Sequence, residues 1–468
     1  MRGLNTMKQF KVAEHITNNM VLSQKKDHIS GSGPQGKPVQ VVFQEKQYET
    51  VIDEKGWNID LELLGAGGPF SLDIYCDEEH LHFDEIYVGR VYLLAGQSNI
   101  EFKLRNEQQI HGVHELKNVF LYSVPQIEYV MEGRSYPAYE PAAWKKGSVE
   151  NLIDFSAIGY YIGEVLDTLD VPIGLVECNK GGTSAACWVD ESTLQSDEIL
   201  NKVFYENYWD DIRDQSEMQE DEKRNEYAKI LDRYQQNISA YQSRHPEASL
   251  SEIKKACGHT PWPGPKGKKD YGKPGGLYHT MFSKVNSRGF DGIVWYQGEE
   301  DTKSASAYAR LLKKLVQLWR SDLHDEVPFY IVQLPKYDDD KNDSWPMIRQ
   351  AQRKICQNEK ACSLVVGIDT GEQFNIHPTD KSRLGNRIGR TIAGQVKRVD
   401  PICYRDHVLR FNERIVMKNQ PLGWKALDEY SIHVGKDVSK GYAVSNYPEV
   451  FLFDEKGDPV SPFYFDTL

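Results

Sequence analysis

From residue 91 onward, short apolar runs recur along the chain, separated by segments of helical periodicity. This alternation limits the possible fold more than any other feature. The runs fall at 91–94, 173–176, 292–296, 329–333 and 364–367, with helical stretches such as 306–319 between them. Strands that read as continuous apolar runs are buried on both faces, and connections long enough to be helices join such strands in parallel. The expected fold class is therefore α/β, with a mostly parallel sheet between two layers of helices. In open sheets of this kind ligands bind beyond the carboxyl ends of the strands, so chemistry is sought there.

The flanks read differently. Residues 8 to about 88 contain short alternating stretches, 39–43 and 71–75, among the turn-rich segments 31–34 and 65–69, which suggests a small N-terminal β-sandwich over 1–88. The α/β body is expected over 89–400, and the last segment, 401–468, returns to short β-like runs. At roughly 150 residues per domain, 468 residues fit such a division. A charged, glutamine-rich stretch, about 196–269, is expected to form one or two helices inserted into the body, followed by the loop 261–269. It is either a solvated decoration or a wall over the site.

Charge narrows the partners. Lysine plus arginine number 56 against 69 acidic residues, a formal charge of −13, whereas nucleic acid and anionic membranes reward a basic face. Neither is expected as a partner; a small-molecule or oligosaccharide substrate is compatible. No run approaches ~18 consecutive apolar residues, and the first twenty residues lack the apolar core of a signal peptide. The seven cysteines, with no C-x-x-C pair, fit free thiols in a reducing compartment. A cytoplasmic location is expected, although a trimmed secretory signal would leave the same pattern. The close histidine pairs are His80/His82 and His111/His114, too little for a metal site, and no phosphate loop is present, so no cofactor is expected. The sequence carries no signal for an oligomeric state.

Four strand ends hold residues able to do chemistry. The first, GRVYLLAGQSNIE (89–101), places Ser98 where a buried strand gives way to a helix; its hydroxyl is either a nucleophile or a helix cap. The second, GLVECNKGGTS (174–184), ends in Gly181-Gly182, which lets backbone N–H groups face a ligand or simply makes a tight turn. The third, IVWYQGEED (293–301), offers the Gln297 amide as an oxyanion donor and Glu299 as a loop anchor. The fourth, GEQFNIHPTDK (371–381), carries His377 in a loop. Together they supply the parts of an acyl-transfer serine hydrolase.

These blocks, in this order, resemble the sialate O-acetylesterase family, a branch of the SGNH (GDSL-like) hydrolases. The chain reads GRVYLLAGQSNIEF, GGT at 181–183, WYQGE at 295–299 and IHPTDK at 376–381, with weaker matches from Ala66 to Ser461. The resemblance implies a carbohydrate O-acetylesterase with Ser98 as nucleophile and His377 as general base. It implies oxyanion donors at the Ser98 amide, the Gly181-Gly182 turn and Gln297. Asn99, Glu299, Asn375, Arg349 and Trp188 are the supporting or substrate-binding candidates. Two positions depart from the family pattern. Asn375 and Phe374 stand where an aspartate commonly orients the histidine, so a Ser–His dyad steered by a backbone carbonyl is expected, with Asp369, Glu372 and Glu299 as substitute acids. Lys180 stands where many relatives have tryptophan. Sialate would call for arginines, Arg105 or Arg349. Neutral hemicellulose oligosaccharides would call for aromatic platforms, Trp188, Trp262, Trp295 or Trp345. A catalytically silent carbohydrate-binding protein is the reading from another class.

Overall fold

The computed structural model describes residues 9–62, 64–107, 112–248, 250–258, 260–338, 343–419, 421–438 and 440–468. Its centre is a run of parallel strands in which each apolar stretch became a strand. These are β1 (Glu79–Gly96), β2 (Leu116–Ser123), β3 (Ile173–Asn179), β4 (Gly292–Tyr296), β5 (Phe329–Val332) and β6 (Cys362–Val365), in spatial order β2-β3-β1-β4-β5-β6. β3 and β4 are buried at every position, as their unbroken apolar character requires.

Helices cover both faces. The helices are α1 (Ala157–Leu166), α2 (Glu217–Arg244), α3 (Leu250–Cys257), α4 (Ala305–Leu323), α5 (Trp345–Asn358) and α6 (Ser382–Ile392). Leu94 on β1 pairs with Val294 on β4, and Ala95 pairs with Trp295, so the two pairs point to opposite faces. Leu94 reaches Gly159 of α1, whereas Trp295 meets Trp319 of α4 edge to face at 5.5 Å. α4 presents Tyr308, Leu311, Leu312, Leu315, Val316, Trp319 and Leu323, an apolar stripe at helical spacing, to that second face.

The two β-rich ends join this body differently. The expected boundary at residue 88 falls inside β1, an 18-residue strand. Its first part pairs antiparallel with Gly67–Cys76 and its last part pairs parallel with β3 and β4, so the whole forms one mixed sheet of 11 strands. A single apolar cluster runs from Phe10 to Ile392. The C-terminal segment instead has its own cluster, including Leu409, Ile432 and Phe463, around a four-stranded antiparallel sheet.

Polar contacts dock that segment: Arg349 Nη2 donates to Ser445 O at 2.5 Å, and Arg387 Nε and Arg390 Nη2 each reach Asp458 Oδ1 at 2.9 Å. The inserted stretch contains more helices than expected, among them α2, 28 residues long and started by a Ser216/Gln219 capping box, and α3.

Candidate active site

β1 delivers Ser98. Gly96 has φ +136°, and a Cβ there would lie 2.1 Å from Tyr296 O, so glycine is needed for β1 to stay against β4 through the turn. Gln97 then locks the turn: its N–H donates to Tyr296 O at 3.1 Å, and its Oε1 accepts from Gly298 N–H at 3.2 Å. Ser98 opens a single helical turn, Ser98–Glu101. Among the described residues its N–H has no acceptor.

His377 arrives from the loop after β6, and its Nε2 lies 2.7 Å from Ser98 Oγ. Asn375 shapes that loop by accepting from His377 N–H at 3.1 Å and donating to His377 O at 2.7 Å. Asn99 fastens the two segments together. Its Nδ2 donates to Glu299 Oε1 at 2.7 Å and to Ile376 O at 3.0 Å, while its Oδ1 accepts from Lys381 Nζ at 2.6 Å. Burial lifts the Glu299 carboxyl to about 7, with Asn99 opposing, and burial depresses the Lys381 ammonium to about 7. Glu107 accepts from Lys381 N–H at 2.9 Å and closes the network.

The neighbouring strand ends behave otherwise. Gly181 N–H is held by Glu101 Oε2 at 2.6 Å, and Gln126 Nε2 holds the other oxygen of the same carboxylate at 2.7 Å. Gln297 is fully buried; its Nε2 donates to Asp301 Oδ2 at 2.6 Å and Thr183 O at 3.1 Å, and its Oε1 accepts from Tyr308 at 3.1 Å. An amide with both N–H groups committed inside the core is a brace between strand ends, so the expected oxyanion role of Gln297 is corrected on that ground. Gly181 is likewise occupied. The Gly182 N–H has no acceptor among the described residues, and with the Ser98 N–H it is the donor available to a ligand.

The inserted stretch forms a wall of the site. Lys254 on α3 places Nζ 3.2 Å from His377 Nδ1 and 3.1 Å from Asn375 Oδ1. The Trp262 indole lies where a Gly182 Cβ would point, 2.6 Å from that position, and its Nε1 donates to Glu300 Oε2 at 3.1 Å. Beside Lys254 opens a cleft of about 310 Å³ lined by Ser98, Glu101, Phe102, Lys103, Asn106, Lys254 and His377.

Several expected residues serve the scaffold instead. Trp188 is buried, donates to Thr183 Oγ1 at 3.1 Å and packs edge to face on Trp295 and Trp319. Trp295 and Trp345 are buried too, which leaves Trp262, 43% exposed, as the aromatic surface beside the site. Arg349 is buried against the C-terminal segment, and Arg105 pairs with Asp154. Of the substitute acids, Asp369 is clamped by Arg387 at 2.9 Å, Glu299 by Asn99, and Glu372 accepts from Asn375 Nδ2 at 3.1 Å and Thr379 N–H at 2.7 Å. His80 and His82 share Asp73 on the exposed far end of β1, and His111 lies outside the described residues. Sequence reasoning missed Lys254, Glu101 and Asp301. Asp301 lay inside a quoted motif, Glu101 ended one, and Lys254 had no local signal at all.

A family model described as carbohydrate esterase, sialic acid-specific acetylesterase, matches residues 209–397, a span that contains His377 but begins after Ser98. The rat sialate O-acetylesterase is 25% identical over 422 residues, covering 81% of this chain and 72% of that protein. The human sialate O-acetylesterase is 24% identical over 425 residues, covering 81% and 69%. Over most of its length the chain is thus similar to sialate O-acetylesterases. A solved structure of a carbohydrate acetylesterase from Xanthomonas citri superposes with TM-score 0.71 over 98% of this chain and 100% of that one, at 21% identity, so the α/β architecture is shared as well. Within this shared fold, the Ser98–His377 pair sits at the carboxyl edge of the parallel strands, where the α/β rule places a ligand.

Proposed function

We propose that this chain is a carbohydrate O-acetylesterase that works through an acetyl-Ser98 intermediate, with His377 as general base. The observation that carries the reading is the 2.7 Å contact between Ser98 Oγ and His377 Nε2. Ser98 Oγ attacks the acetyl carbonyl as its proton passes to Nε2, and the Ser98 and Gly182 N–H groups receive the charge on the carbonyl oxygen. The tetrahedral adduct then expels the sugar oxygen, which takes the proton back from Nε2. Water repeats the sequence on the acetyl-enzyme and releases acetate. Asn99, Glu299 and Lys381 keep the serine turn and the histidine loop in register.

O-acetylated sugars, either sialate or hemicellulose oligosaccharides, are the proposed substrates. Trp262 offers a ring-sized apolar face beside Gly182, while Lys103 at the cleft is already paired with Glu177 at 2.8 Å. We also keep the division into an N-terminal β-sandwich, a hydrolase body and a C-terminal β segment as a proposal. Acetate release from a panel of acetylated sialic acid, xylo-, manno- and xyloglucan oligosaccharides tests the function. Wild type is expected to turn over at least one substrate, and Ser98→Ala to lose on the order of 10⁴-fold or more. Equal 4-nitrophenyl acetate hydrolysis by the two proteins would sink the mechanism, and an inert wild type that still binds the sugars would favour the silent binding protein.

A further inference from the structure

A serine hydrolase needs its histidine in one tautomer: Nδ1 protonated and held, Nε2 free to accept the serine proton. Here the group 3.2 Å from Nδ1 is the Lys254 amine, contributed by the inserted helix α3. An ammonium has three N–H donors and no lone pair. A charged Lys254 therefore donates to Nδ1, and the ring hydrogen moves to Nε2, facing Ser98 Oγ. That ring cannot accept the serine proton. A neutral amine has a lone pair, so Nδ1–H donates to Nζ and Nε2 is left as the acceptor. Only the neutral form matches the contact geometry of a working base.

Burial works towards that form. Lys254 is half-buried, and burial pushes its ammonium below the ordinary lysine range, with the Glu372 carboxylate opposing. Lys381, buried and itself faced by Glu107 and Glu299, is coupled to Lys254, and each amine when charged disfavours a charge on the other. His377 would do the same once protonated. Asn375 Oδ1 accepts one Nζ hydrogen at 3.1 Å and so aims the remaining valence of the amine at the ring.

We propose that Lys254 is a positioning residue whose neutral amine accepts the Nδ1–H of His377 and fixes the base tautomer. It thereby stands in for the missing aspartate and makes the inserted helix part of the hydrolytic apparatus. This rests on the reading of Ser98 and His377 as nucleophile and base. When Ser98 O–H breaks and Nε2–H forms, the Nδ1 proton can pass to Nζ. The positive charge then rests on Lys254, in the field of Glu372; when the sugar oxygen departs it takes the Nε2 proton, and the Nζ proton returns to Nδ1. Activity accordingly requires two deprotonations, at His377 and at Lys254.

The test is kcat/KM against pH from 5 to 10 on 4-nitrophenyl acetate for wild type, Lys254→Met, Lys254→Arg and Ser98→Ala, with near-ultraviolet circular dichroism to check folding. Wild type is expected to rise on its acid limb with a limiting slope of two, and Lys254→Met with a slope of one and an optimum rate roughly 10–100-fold lower. Lys254→Arg, permanently charged, is expected to lose about 10³–10⁴-fold at every pH, as a histidine held in the wrong tautomer does. A purely structural lysine predicts the reverse, with arginine tolerated and the slope unchanged; a folded Lys254→Arg protein of wild-type rate overturns the proposal even if Lys254→Met fails to fold. Activity surviving in Ser98→Ala would instead strike the underlying reading, while an inert Ser98→Ala beside unaffected Lys254 variants strikes this inference alone.

Discussion

Two pairs of hydrogen-bonding groups stand beyond the carboxyl ends of strands of one sheet and have opposite fates. Ser98 and His377 meet each other across 2.7 Å at an open cleft. Gln297 and Gly181 spend their donors inward, on Asp301, Thr183 and Glu101. Residue type and strand position do not distinguish the pairs; remaining hydrogen-bond capacity does. A polar group is available to a substrate only where the fold has not already satisfied it, and burial makes the satisfied arrangement expensive to undo.

The contrast can be broken first at the glycine pair. Gly182 has φ +70°, so Gly182→Ala strains the turn and drives a Cβ into the Trp262 ring. A loss of about 10²–10³-fold in kcat is expected, the cost of one misplaced oxyanion donor, against less than about tenfold for Gly181→Ala. Equal losses in steady-state kinetics at both positions would erase the distinction drawn between them.

Gln297 gives the next effect, and it should appear in stability rather than chemistry. Gln297→Ala leaves Asp301 and Tyr308 short of a buried partner, so urea unfolding should show a loss of about 1–3 kcal/mol. A variant of unchanged stability and a hundredfold lower kcat would return Gln297 to the oxyanion site.

The smallest effect concerns the acid beneath Gln297. Burial lifts the Asp301 carboxyl to about 6 from its ordinary 3.8, despite hydrogen bonds from Ala185 N–H, Ser184 and Gln297. The folded chain thus keeps a proton that the unfolded chain releases. The associated stability is full below about pH 4 and is lost as pH rises through 6, an amount on the order of 2 kcal/mol. Denaturant titrations between pH 4 and 7 should show this decline in wild type and a flatter profile in Asp301→Asn. Identical profiles would mean that Asp301 ionises alike in both states.

What could be read from the sequence was local. Apolar runs became β1 and β3 to β6 because burial on both faces leaves a mark on every residue of a strand, whereas β2 was not among the runs read. Ser98, Gly182 and His377 were visible because each lies in a short motif just beyond such a strand. Lys254 was not, because it approaches His377 only after the chain returns across more than a hundred residues, and a lysine in a charged helix looks solvated. Trp188 and Arg349 misled in the opposite direction. Each resembles a sugar-binding residue by type, yet Trp188 fills the core beside Trp295 and Trp319 while Arg349 secures the C-terminal segment. The end of the N-terminal region was hidden because β1 changes partners without breaking.

That continuity of β1 has a consequence in time. On a ribosome, the antiparallel part of β1 finds Gly67–Cys76 at once, but the half leading to Ser98 is made long before β3 and β4. At roughly 5–20 residues per second, the roughly 200 residues from Gly96 to β4 take on the order of 10–40 s to appear. For that interval the central strand of the enzyme is an apolar edge with no neighbour on its far side, the kind of surface that pairs with other nascent chains. The segment that carries Ser98 is therefore also where this protein is most exposed to misassembly while it is being made.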